Sequence, residues 1–82
     1  MAIQFTFEDL KTILIEGLGL SEEEIPNDMN TRLDKLIDSL AFTQIQLIVQ
    51  QTFGFTIPDE DAQTISTFQD AIDYTNRRLQ EE

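Results

Sequence analysis

Apolar residues recur every three or four positions and then stop, a rhythm that predicts helices joined by loops. Leu10, Ile13, Leu14 and Leu18 form the first such stripe, with Lys11, Thr12 and Glu16 between them. Thr6 and Asp9 stand at capping-box spacing before it, and Gly17 and Gly19 bracket its end. A first helix over residues 6–18 follows. Residues 19–37 then read as a long connection holding Ser21–Glu24, which suits one helical turn, and the loop formers Pro26, Asn27, Asp28 and Asn30. Leu20, Ile25, Met29, Leu33 and Leu36 would pin it to the core.

A second helix starts near Asp38 and Ser39, either of which is able to cap it. Leu40, Ile45, Leu47, Ile48, Val49 and Phe53 make it strongly apolar, and Gly54 is its stop signal. Pro58 followed by Asp59, Glu60 and Asp61 suits the start of a short third helix over 59–65. Ser66 or Thr67, answered by Gln69 or Asp70, caps a last helix with an inner stripe of Phe68, Ala71, Ile72, Thr75 and Leu79. Arg77 and Arg78 fall in its last turn, where cations are favoured. No segment alternates as a strand does. The fold class is all-α, a small four-helix bundle with a long loop between helices one and two and a short third helix.

Composition narrows the chemistry. The 82 residues are enough for one domain, 1–82, with a modest core. The chain has no cysteine and no histidine, so it lacks a thiolate nucleophile, the commonest general base and the usual zinc ligands. Neither Lys11 nor Lys35 is an obvious base for Ser39, and an enzyme is not expected. The Asp59–Glu60–Asp61 run lacks the spacing and glycine of a calcium loop, so no metal is expected. A formal net charge of −11 disfavours nucleic acid and points to basic patches on partner proteins. The first residues lack the blocks of a signal peptide, and no apolar run is long enough to span a bilayer, so a cytoplasmic location is expected.

One constellation carries the functional reading. Asp38-Ser39-Leu40 opens helix two, Phe53 stands near its end, and Ile57-Pro58-Asp59-Glu60 opens helix three. Ala62 and Ile65 follow, then Ser66-Thr67 and Ala71-Ile72-Asp73-Tyr74, while Leu18-Gly19-Leu20 closes helix one. Over residues 7–78 this pattern resembles the acyl carrier protein family. The resemblance implies a four-helix shuttle whose Ser39 hydroxyl bears 4′-phosphopantetheine, an arm whose thiol holds acyl groups as thioesters. It implies transient partners: a phosphopantetheinyl transferase facing Asp38, and acyl-activating, acyl-transferring or synthase enzymes. Partner contacts would involve Asp38, Leu40, Phe42, Ile57, Asp59 and Glu60. An acyl pocket would draw on Ile45, Val49, Phe53, Ala62, Ile65, Phe68 and Ala71, residues that also suit plain core packing. The carrier would act as a monomer. Electrostatics agree, because a phosphodiester on Ser39 would sit at a helix N-terminus.

Two departures shape the expectation. From Ser39 through Pro58 no residue is charged, whereas fatty-acid carriers have an acidic second helix. Lys35-Leu36-Ile37 also replaces the glycine-containing approach to the serine. Both point to a specialised carrier in lipid or polyketide-type biosynthesis. A carrier of aminoacyl or peptidyl groups ranks lower, because Leu36-Ile37-Asp38-Ser39 is not the Gly-Gly-x-Ser of those domains. An unmodified interaction module with the same fold is the third reading.

Overall fold

A computed structural model describes residues 4–81, with the side chain of Glu81 outside the described set. Five helices follow one another: α1 (Phe7–Leu18), α2 (Leu33–Leu36), α3 (Ser39–Phe53), α4 (Asp59–Ala62) and α5 (Phe68–Glu81). A 3₁₀ turn, Glu22–Glu24, lies in the first connection. The three long helices are the first, second and last read from the pattern, and α4 is the short third one.

The caps lie where the side chains put them. Thr6 Oγ1 accepts from the Asp9 N–H at 3.3 Å, and the Asp9 carboxylate accepts from the Thr6 N–H at 3.0 Å. Thr67 and Asp70 repeat this box at α5: Asp70 N–H donates to Thr67 Oγ1 at 3.1 Å, and Asp70 Oδ2 accepts from the Thr67 N–H at 3.3 Å. Gly19 and Gly54 end α1 and α3 with φ of 77° and 79°, a left-handed conformation that other residues adopt at a cost. Gly17 lies inside α1 and has a different role. A Cβ there would meet the Ile48 Cδ1 methyl, the movable end of a side chain on α3, so Gly17 marks a close approach of the two helices.

Two elements depart from the pattern. The connection contains α2, one turn that no side chain caps. Tertiary contact builds it, because the Leu33 N–H donates to the Ser66 carbonyl at 2.8 Å while the Leu33 side chain is fully buried. The third helix stops at Ala62, short of residue 65. Thr64 ends it, with a backbone bond to the Asp61 carbonyl at 3.0 Å and a hydroxyl bond to the same oxygen at 2.7 Å.

The core runs through the middle of the bundle, with α1 packed against α3 and α5. Leu10, Leu14, Ile45, Val49, Phe68 and Ile72 are buried there, as the stripes require. From the connection, Ile25 and Leu33 are buried, and Leu20, Met29 and Leu36 pack against them half-covered. Phe5, Ile37, Phe55 and Tyr74 are core residues that periodicity did not single out. Phe5 is held by α5: its N–H donates to Asn76 Oδ1 at 2.6 Å, and Asn76 Nδ2 donates to its carbonyl at 2.9 Å. A backbone seam joins the connection to the start of α5, where Phe68 N–H donates to the Thr31 carbonyl at 3.1 Å and Gln69 N–H to the Met29 carbonyl at 2.9 Å.

Candidate functional site

Ser39 occupies the first position of α3, and Asp38 is its cap. The Asp38 carboxylate accepts from the Ala41 N–H at 2.8 Å, and the Asp38 carbonyl accepts from the Phe42 N–H at 3.0 Å. The cap therefore belongs to Asp38, and the exposed Ser39 hydroxyl is left out of it. The N–H groups of Ser39 and Leu40 have no protein acceptor among the described residues. An anion attached at Ser39 would meet these free donors and the positive end of the helix dipole. The approach to the serine is extended, with φ of −134° at Ile37, and positive φ among the described residues is confined to glycine. The chain thus reaches Ser39 through the α2 turn, with no need of a glycine there.

A cleft of about 320 Å³ opens beside Ser39. Its apolar wall is Leu33, Ile37, Phe42 and Ile65, and Asp34 and Asp38 stand at its mouth. Arg32 grips Asp34 with two hydrogen bonds, 3.1 Å from Nε and 2.8 Å from Nη2. Those bonds hold the Asp34 carboxyl below the usual carboxylate range, so it is charged at neutral pH. Among the described residues, no group of acidic side chains could hold a metal ion.

A second space lies deeper, a void of about 30 Å³ between α3, the 57–65 segment and α5. Ile45, Val49, Ile65 and Ala71 from the expected acyl pocket line it, joined by Ile57, Tyr74 and Thr75. The other expected pocket residues lie elsewhere. Phe53 lies about two turns beyond Ile45, at the last position of α3, edge-on to Phe5 at 5.7 Å between ring centroids and stacked near Phe55. Ala62 and Phe68 are buried core, with Phe68 against Phe7.

The residues expected to meet partners divide as well. Leu40 is 69% exposed and Leu47 49% exposed, both on the uncharged α3. Asp38, Asp59 and Glu60 are exposed, and Phe42 is half-covered. Ile57 is buried and leaves little surface for a partner. Its N–H donates to Gln50 Oε1 at 2.7 Å, which ties the loop before α4 to α3. Gln50 gave no sign of this role in the sequence, since a glutamine on a helix reads as a solvated face.

The same region is braced from α5. The Tyr74 hydroxyl donates to Asp61 Oδ2 at 2.8 Å, and Arg78 Nη1 donates to the Tyr74 oxygen and to the Thr56 carbonyl, each at 2.8 Å. The Arg78 guanidinium also lies 4.9 Å from the centre of the Phe55 ring. Burial, and then the bond to Asp61, push the Tyr74 phenol above its ordinary pKa, with Arg78 opposing.

Comparison with known proteins agrees with this geometry. The family described as "Phosphopantetheine attachment site" matches residues 8–75, most of the chain. Among solved structures, the fold is similar to the solution structure of butyryl acyl carrier protein from the actinorhodin polyketide synthase of Streptomyces coelicolor. The TM-score is 0.81 at 27% sequence identity, over 99% of this chain and 98% of that one. No helix among the described residues is long and apolar enough to cross a membrane.

Proposed function

From the premise that the chain belongs to the phosphopantetheine-attachment family of acyl carrier proteins, we propose that it carries acyl groups on an arm attached to Ser39. The observation that carries this reading is the Ser39 hydroxyl. It is exposed, spared from capping, and set at a helix start beside an apolar cleft. When bound, the cofactor supplies a thiol that holds cargo as a thioester, a group this cysteine-free chain lacks. The chain's own residues do the rest. Asp38 fixes the first turn, the free N–H groups of Ser39 and Leu40 favour the attached phosphate, and Leu33, Ile37, Phe42 and Ile65 offer cover to a short hydrocarbon. Carrier domains of this family are not catalysts.

The cargo is acyl and the pathway a specialised one of lipid or polyketide type. Similarity to a carrier of a polyketide synthase supports this, as does the uncharged α3. Partner enzymes meet the carrier around Ser39 through Asp38, Leu40 and Phe42, with Asp59 and Glu60 as flanking charges. The 69% exposure of Leu40 supports an apolar contact there, while the net charge of −11 favours basic surfaces farther out. Incubation with coenzyme A and a broad-specificity phosphopantetheinyl transferase tests the reading. Intact mass should rise by one phosphopantetheine in the wild type and stay unchanged in Ser39→Ala. A folded wild type that gains no mass with several transferases is an interaction module, and the proposal fails.

A further inference from the structure

The cleft at Ser39 and the interior void share three lining residues: Leu33, Phe42 and Ile65. These side chains are the partition between the two spaces. Building on the carrier reading, we propose that Phe42 is the gate in this partition and limits the length of acyl chain the protein shelters. Short acyl groups lie in the outer cleft. Longer ones reach the interior only when the Phe42 ring turns aside.

The two spaces are unequal. The void, about 30 Å³, has room for one or two waters and none for an alkyl chain. The cleft, about 320 Å³, is large enough for a short one. The void's surroundings suit hydrocarbon. Its lining is mostly aliphatic and aromatic, and the Thr75 hydroxyl is already committed to the Ala71 carbonyl at 2.8 Å. Gln46 is the one side-chain amide in the lining, and no fully buried side-chain polar atom among the described residues lacks a partner.

Of the three partition residues, Phe42 is the one able to move. Leu33 is 1% exposed, and its backbone is bonded across the seam to Ser66. Ile65 is β-branched, stiff at its first torsion, and bonded through its N–H to the Ala62 carbonyl at 3.1 Å. Phe42 is half-covered and stands one turn beyond Ser39. Its ring can swing about two torsions without disturbing a hydrogen bond. It also sits where a chain leaving Ser39 would arrive first.

The test compares wild type, Phe42→Ala and Phe42→Trp, each loaded at Ser39 from butanoyl-, hexanoyl- or octanoyl-coenzyme A. Intact mass reports loading, and the melting temperature is read against the unacylated holo form. Each methylene that becomes fully buried should raise the midpoint by roughly 3–6 °C. The wild type should gain with the shortest chain and then level off. Phe42→Ala should keep gaining along the series, and Phe42→Trp should level off at least as early as wild type. Parallel profiles in wild type and Phe42→Ala overturn the gate. If Phe42→Ala does not fold, Phe42→Leu should shift the profile in the same direction by less. Absence of any mass gain marks failure of the carrier reading instead. The gate is then tested without the arm, on Ser39→Cys labelled with butyl, hexyl or octyl methanethiosulfonate. The cysteine-free chain takes a single label, as a mixed disulfide with release of methanesulfinate. The same divergence between Phe42 and Phe42→Ala backgrounds is expected, and its absence overturns the proposal.

Discussion

Tyr74→Phe removes one hydroxyl from a network that, with Arg78, reaches three segments. Its oxygen accepts from Arg78 and its O–H donates to Asp61, which ties α5 to α4, while Arg78 Nη1 also donates to the Thr56 carbonyl in the 54–58 loop. Hydrogen bonds to charged groups contribute about 1.5–3 kcal/mol each. Asp61 and Arg78 are only half-buried and can recover water, which puts the loss at the lower end, about 1.5 kcal/mol. For a domain of this size that corresponds to a melting midpoint lower by roughly 6–12 °C. Arg78→Met should cost a similar amount, and the double variant should cost less than the sum, because both changes break the same network. The pH dependence has a definite sign. The folded phenol titrates above the unfolded one, so its stabilisation is intact below about pH 10 and is lost as pH rises through the folded value. Wild type should therefore lose stability relative to Tyr74→Phe only in the alkaline range. Tyr74 is the only tyrosine and the chain has no tryptophan, so near-ultraviolet absorbance follows this phenol alone. An unchanged melting midpoint in Tyr74→Phe, or a phenol that titrates at the value of the unfolded chain, would refute the reasoning.

Asn76→Ala removes both side-chain bonds to the Phe5 backbone, and urea titration should show a loss of about 1–3 kcal/mol. Asp38→Ala should cost about 1 kcal/mol as a lost helix cap, while Ser39→Ala should cost far less, because its hydroxyl takes no part in the cap. Paired thermal melts check the order, and equal losses would mean that Ser39 is structural.

The three long helices were legible because their ends are written in local chemistry. Thr6 with Asp9 and Thr67 with Asp70 act within one turn, and Gly19 and Gly54 need only their own backbone freedom. The α2 turn was not legible, since Leu33 is helical through a bond to Ser66, thirty-three residues away in sequence and adjacent only after folding. Phe5 escaped for the same reason, its partner Asn76 lying at the other end of the chain. At the site, the spacing of Asp38-Ser39-Leu40 and Ile57-Pro58-Asp59-Glu60 singled out Ser39, the proposed attachment point. Which apolar residues share a space with it could not be read the same way. Ile45, Val49, Phe53 and Phe68 look alike on a helical wheel, yet only the first two border the void. That distinction depends on where each residue falls along its helix and on which neighbours the packing brings to that level.

The seam between residues 29–33 and 66–69 gives the cleft one fixed jaw and one adjustable jaw. Leu33 lies on one joined strip of chain, and Ile65 immediately precedes the other. Backbone bonds therefore set the separation of these two residues whatever α3 does. Their amide protons should behave accordingly: those of Leu33, Phe68 and Gln69, though outside or at the ends of the long helices, should resist hydrogen exchange more than loop amides do. The opposing jaw is the first turn of α3, which carries both Ser39 and Phe42. Evolution could thus retune what this carrier accommodates on the α3 side alone, while the jaw that holds the bundle together stays untouched.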